Sequence, residues 1–362
     1  MATRKLLLTG LLVLSTIGVF SQDIHFSQLS MAPLQINPAN TGFFDGYARG
    51  ILNYRTQWFT ANATYQTIAA GFDANVGIKK TKRAFIGFGG LIFQDKAGDS
   101  KWSNLKADFM SNVVLTTSKS SKLAFAIGAG LGQISANFDK LTWGVQYNGT
   151  SFDPKMPSQE PFADGKRNFV FFDVCSGINY EINKMQENFD RNVHFSMRIG
   201  AAGYHLNQPR IIFSGLSTEA VARRFVINAN ARIDIKNSPV SILPSLIYMY
   251  QAPYNELNIG TFMRYRFKDE TKTTGLKMET AIHVGCYFRY ADAIMPQFML
   301  EYKQWMFGFS YDQTLSTWKR ANRGLGAFEI NLAWTSLRTG IFKQRREFGA
   351  AKGNGSPVKY GN

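Results

Sequence analysis

Eight arginines carry most of the chemistry this sequence offers. Arg49, Arg55, Arg198, Arg224, Arg232, Arg264, Arg266 and Arg289 all fall on the polar phase of segments that alternate polar and apolar residues. A guanidinium holds five N–H donors in a planar fork, which matches a carboxylate or another anion through two bonds at once. Two arrangements satisfy that fork. The arginines can pair with carboxylates of the same phase, with Asp73, Asp173, Asp234 and Glu329 as candidates, and so close an interior. Alternatively they stand free and hold anions or an acidic segment of a partner.

Other reactive types are thinly spread. His25, His194, His205 and His283 lie far apart, with no second ligand at metal-binding spacing. His205 sits near the end of its alternating segment, where a barrel enzyme could keep an active site, although a hydrogen-bonded structural histidine is the plainer reading. Gly128, Gly130 and Gly132 are followed by Gln133, so the spacing of a nucleotide-binding loop fails. Inside a strand, such glycines make room for bulky neighbours. Cys175 shares a phase with Asp173, and Cys286 shares one with Val284 and Phe288. Opposite faces of non-adjacent segments make a bridge between them improbable. No catalytic constellation, cofactor site or metal site is expected.

The elements that must position the arginines are strands. From Arg224 to Ile235, Arg224, Val226, Asn228, Asn230, Arg232 and Asp234 share one face, while Phe225, Ile227, Ala229, Ala231, Ile233 and Ile235 share the other. Segments of this kind recur at 47–58, 63–76, 84–94, 102–116, 122–138, 168–182, 192–206, 223–235, 239–251, 256–267, 278–290, 294–302, 304–313 and 324–337. Most are ten residues or longer. Soluble strands average about 5–6 residues, whereas a tilted membrane strand needs about 9–11. The expected fold is therefore all-β: a transmembrane antiparallel β-barrel of about 14 strands, with its lumen partly plugged. Aromatics near segment ends, such as Trp58, Trp102, Tyr248, Tyr250, Tyr302 and Trp305, suit the girdles of such a barrel. Long connections at 139–167 and 207–222 then fall on the same, outward side. Pro244 and Pro296 inside strands, the charged turn 268–277, and a single Lys303 between two strands fit this scheme poorly.

Residues 1–21 read as a secretory signal, with Arg4 and Lys5 ahead of an uncharged run from Leu6 to Phe20 and small Ser21 at the cleavage position. That run falls short of the ~20 residues that a spanning helix needs. The formal charge of +16 points away from nucleic acid once export is accepted, and toward lipid headgroups or an acidic partner. Residues 22–46 precede the barrel, which occupies 47–338. Their apolar Ile24, Phe26, Leu29, Met31, Leu34 and Ile36 suggest a stopper in the periplasmic mouth that turns at Asn37-Pro38. Residues 339–362 form a basic, breaker-rich tail.

The opening Gln22-Asp23-Ile24-His25-Phe26-Ser27-Gln28, then Asn37-Pro38-Ala39, Thr41-Gly42 and Asn53-Tyr54-Arg55-Thr56-Gln57-Trp58, resemble the PorP/SprF family of the Bacteroidota type IX secretion system. Tyr65-Gln66-Thr67, Gly71-Phe72-Asp73, Tyr311-Asp312 and Gly326-Ala327-Phe328-Glu329-Ile330 add to the likeness; residues 139–222 do not. The resemblance implies a non-enzymatic outer-membrane barrel, in contact with outer-membrane lipid and type IX components. It would bind the C-terminal domain of a secreted cargo, such as a gliding adhesin, and support its export or surface attachment. An anion-selective diffusion porin is the alternative, and a barrel enzyme built on His205 is a third reading.

Overall fold

The computed structural model describes residues 23–58, 64–76, 83–98, 102–137, 141–153, 155–159, 166–186, 193–212, 218–268, 280–317 and 319–336. The expected signal at 1–21 and tail at 339–362 lie outside these, as does most of the turn 268–277. Strands follow in chain order as β1 (Ala48–Gln57), β2 (Tyr65–Val76), β3 (Ala84–Ala97), β4 (Trp102–Ser118) and β5 (Ser121–Asn137). Next come β6 (Lys166–Gln186), β7 (Val193–Tyr204), the short β8 (Arg210–Ile212) and β9 (Thr218–Ala220), then β10 (Arg224–Asp234) and β11 (Val240–Gln251). The series ends with β12 (Tyr254–Lys268), β13 (Thr280–Arg289), β14 (Ala293–Tyr302), β15 (Trp305–Thr314) and β16 (Leu325–Ser336).

Each barrel strand pairs antiparallel with its neighbours, and β1 closes on β16 through a register from Ala48↔Ser336 to Gln57↔Ala327. Fourteen strands make the closed barrel; β8 and β9 form a separate hairpin within the connection from β7 to β10. Alternation dictates the two faces. Leu52, Ile68, Phe72, Ile127, Phe225, Ile259 and Phe307 are exposed on the outside, as a lipid-facing wall requires. The intervening residues are buried, and many of them are polar: Asn53, Arg55, Asp73, Asn179, Asn228, Arg264 and Glu329.

Four local expectations meet their outcome here. β6 is longer than the expected 168–182, running from Lys166 to Gln186, which shortens the connection before it. Lys303 and Gln304 together turn β14 into β15. Pro244 and Pro296 do lie within strands, and the register toward one neighbour skips each of them: Asn230↔Ser245 resumes at Ile233↔Ile242, and Ile294↔Gln313 at Gln297↔Ser310. A proline has no N–H for the ladder, so pairing lapses on that side.

The segment before β1 runs the length of the barrel, beyond the single mouth that the turn at Asn37-Pro38 suggests. The backbone N–H of Asp23 donates to Gln251 Oε1 at 2.9 Å, beside the connection from β11 to β12. At its other end Phe43 packs with Phe85, Val114 and Ala124, beside the turns from β2 to β3 and β4 to β5. These two ends are the long-connection rim and the terminal rim. Between them the segment forms three short turns, Leu29–Met31, Pro33–Ile36 and Pro38–Asn40. Proline opens two of the turns, where a missing N–H does no harm, and the Asn37 side chain caps the third by accepting from Ala39 N–H at 2.9 Å. Phe26, Leu29, Met31, Leu34 and Ile36 share one apolar core with Tyr204, Val226, Phe262, Tyr287 and Met295.

Candidate functional site: the paired charges of the lumen

All eight arginines of the polar phase meet carboxylates. Arg49 pairs with Asp73 at 2.8 Å, Arg55 with Asp312 at 3.2 Å and Arg224 with Asp23 at 3.3 Å. Arg198 grips Glu181, its Nε at 3.0 Å, and lies over the Phe43 ring. Arg232 and Arg266 share Asp234 at 3.0 and 3.7 Å. Arg264 pairs with Glu301 at 2.9 Å, and Arg289 reaches Glu256, Asp292 and Asp312 at 3.3, 3.0 and 3.5 Å. Of the four carboxylates singled out by phase, Asp73 and Asp234 hold arginines. Asp173 instead holds Lys106 and His205, and Glu329 accepts backbone N–H groups. Asp23, Glu181, Glu256, Asp292, Glu301 and Asp312 were missed. Four of them, Glu181, Glu256, Glu301 and Asp312, share a strand face with Asn179, Asn258, Met299 and Ser310 respectively, all buried, so phase alone could have flagged those four.

The pre-barrel segment is tied in at three levels. At the long-connection rim, His205 lies just past β7 at φ +54, with Nε2 2.7 Å from Asp23 and Nδ1 2.9 Å from Asp173. Arg224 stacks over Tyr204 and donates to Gln35 O at 3.2 Å. Burial opposes charge on both His205 and Asp23, but each faces the other. The Asp23 carboxylate, together with the bond to Asp173, raises His205 to about 9, and His205 and Arg224 hold Asp23 well below the usual carboxylate range. With both ring nitrogens engaged, His205 has none left to act on a substrate.

At mid-depth, the Glu329 carboxylate accepts from Ser27 N–H at 2.6 Å and Gln28 N–H at 3.1 Å. Arg55 donates to His25 O at 2.7 Å, and Gln28 Nε2 donates to Phe309 O at 2.6 Å. His25 stands 3.6 Å from Glu256.

Toward the terminal rim, amides join the charges, with the Asp73 carboxylate accepting from Gly42 N–H at 2.8 Å. Asn37 Nδ2 donates to Ile178 O at 3.1 Å and Asn228 Oδ1 at 3.0 Å, and Asn112 Nδ2 donates to Ala39 O and Thr41 O at 2.9 Å each. Backbone approaches are close: a Cβ at Gly87 would lie 2.2 Å from Thr41 O, and one at Gly177 2.2 Å from Asn37 Oδ1. Gly128, Gly130 and Gly132 face Cys175, Asp108 and the Phe171 ring in the same way. Below Phe43 and Phe44 a cavity of about 360 Å³ opens between Lys122, His194, Arg198 and Arg232. Cys175 and Cys286 are both free. Among the described residues, no group of three or more histidine, cysteine or acidic side chains could hold a metal ion.

A closed wall with an apolar outer face and an ion-paired interior defines a membrane β-barrel protein of the outer membrane. The family model for type IX secretion system membrane protein PorP/SprF matches residues 18–334, and the chain belongs to that family. Similar solved structures include the deltaS2 mutant of the TodX monoaromatic hydrocarbon channel, at 9% identity and TM-score 0.46 over 85% of this chain and 94% of that one. Another is BamA from Haemophilus ducreyi lacking POTRA domains 1-3, at 8% identity and TM-score 0.40 over 80% of this chain and 70% of that one. The translocator domain of autotransporter NalP from Neisseria meningitidis is similar at 7% identity and TM-score 0.36, over 85% of this chain and 95% of that one. No curated protein matches the chain.

Proposed function

We propose that this barrel binds the C-terminal domain of a secreted cargo, such as a gliding adhesin, and supports its export or attachment at the cell surface together with other type IX components. The observation that carries the reading is the tenancy of the lumen. Residues 23–46 act as a plug held by carboxylates, amides and apolar packing, and the inward arginines are committed to carboxylates of the chain. A filled interior leaves the rims to do the recognition. The long-connection rim faces outward on this reading, because bacterial barrels keep their long loops outside. Residues 1–21 serve as the export signal, and 339–362 as a basic periplasmic tail.

Deleting the gene and measuring surface cargo by whole-cell immunolabelling tests the proposal. Loss of one or more surface proteins is expected, restored by the gene in trans; normal display with an intact membrane would remove the idea. The anion-selective porin would use the cavity at the terminal rim, where Lys122, Arg198 and Arg232 already face Glu181 and Asp234. It requires a continuous path, which the segment from Asp23 to Phe43 obstructs.

A further inference from the structure

The connection from β15 to β16, residues 315–324, carries three cations, Lys319, Arg320 and Arg323, and no carboxylate. Its frame is built before anything binds. Asn322, 1% exposed, donates from Nδ2 to Thr314 Oγ1 at 2.9 Å and accepts from Gly324 N–H through Oδ1 at 2.9 Å. Lys319–Asn322 form one helical turn, and Gly324 N–H closes it onto Lys319 O at 3.2 Å. The carbonyl of Asp292, in the turn from β13 to β14, ties the connection down by accepting from Leu315 N–H at 2.7 Å and Ser316 N–H at 3.1 Å.

The three cations stand outside this frame. Lys319, Arg320 and Arg323 are exposed, and among the described residues no carboxylate pairs with them. The Asp292 carboxylate is held by Arg289 at 3.0 Å, and the adjoining connection from β1 to β2, residues 58–64, has no charge of either sign. Depth decides what such cations meet. Leu315 continues the outward phase of β15 at 44% exposed, and Tyr290 continues that of β13 at 70%. A lipid-facing leucine and tyrosine at one level mark the edge of the hydrocarbon band. Cations that follow Leu315 directly, folded back onto the strand ends by Asn322, therefore lie in the headgroup layer. There they attract anionic headgroups, and a guanidinium takes a phosphate through two bonds at once. A protein docking from above would need apolar anchors, whereas Leu315 and Tyr290 lie on the lipid-facing phase.

We propose that Lys319, Arg320 and Arg323 bind the phosphorylated sugar headgroup of an outer-leaflet glycolipid and pin the β15–β16 corner of the barrel to it. The inference rests on the outward orientation of the long-connection rim given above. The test places the full-length protein in phosphatidylcholine bilayers with equal amounts of lipid A, dephosphorylated lipid A and phosphatidylglycerol. Native mass spectrometry then counts the lipids retained on mild delipidation. Lipid A should be retained roughly tenfold or more over its dephosphorylated form, and K319Q/R320Q/R323Q should bring the two level with heat-modifiable mobility unchanged. Equal retention by the unaltered protein, or phosphatidylglycerol held as well as lipid A, would overturn it. So would a preference that survives the triple variant; loss of surface cargo in that variant would then give the cations to an acidic protein. Labelling of K319C by a membrane-impermeant maleimide in intact cells, above the background from Cys175 and Cys286, checks orientation separately. No labelling would overturn the outer-leaflet assignment even with the phosphate preference intact.

Discussion

The two ends of the pre-barrel segment are held by different physics. From Asp23 to Gln28 the grip is electrostatic, through His205, Arg224, Arg55 and Glu329. From Asn37 to Gly42 it is mostly steric and amide-based, through Asn112, Asn228 and backbone contacts that only glycine permits, with the Asp73 carboxylate accepting from Gly42 N–H at 2.8 Å and Arg198 reaching Asn40 at 3.3 Å. A charge grip responds to protons and to loss of one partner, and leaves a costly buried charge behind when broken. A close-packed grip fails chiefly when volume is added. The contrast teaches that the long-connection end is the releasable one, and the terminal end is the anchor.

The anchor should break hardest. Gly87→Val drives a side chain into the Thr41 carbonyl, and we expect a loss of about 3 kcal/mol or more, read as a large drop in the midpoint of the heat-modifiable mobility shift. Glu329→Gln should rank second. It replaces an oxygen that accepts a backbone N–H with a donor facing it, at a cost of about 1–3 kcal/mol. Limited proteolysis should then cut residues 23–30 while Asn37 to Gly42 stays protected. Cutting at both ends together would mean that the two grips are a single cooperative unit.

Protons should act at the long-connection end through His205. His205 is raised to about 9 from an ordinary 6.5, so its contribution is full below the ordinary value and lost as pH rises through about 9. Protease protection of the long-connection end should therefore fall as pH rises through about 9, and His205→Gln should abolish that dependence. Arg232→Gln should do least, below about 1 kcal/mol by thermal shift, because its side chain is 26% exposed and Arg266 also reaches Asp234.

Much of the wall was legible in the sequence. Period-two alternation identified fourteen strands and the inward phase of all eight arginines, because a membrane barrel enforces both strand length and the two faces. The family emerged from motifs at the chain's two ends. What alternation could not supply is pairing across the lumen. Nothing local to Asp23 says that it will meet His205 and Arg224, since those contacts depend on a non-strand segment threading a closed cylinder. The extent of that segment was underestimated for the same reason: the apolar residues from Ile24 to Ile36 show that it must be covered, without showing how far it runs. The hairpin of β8 and β9 was invisible because three-residue strands are too short to show a periodicity.

The central claim is that residues 23–46 close the lumen and leave function to the rims. Single-channel recording of the purified full-length protein in planar bilayers tests it most directly. The account predicts no steady conductance at neutral pH, with brief openings in Glu329→Gln as the charged end lets go. A steady, anion-selective conductance in the unaltered protein would contradict it.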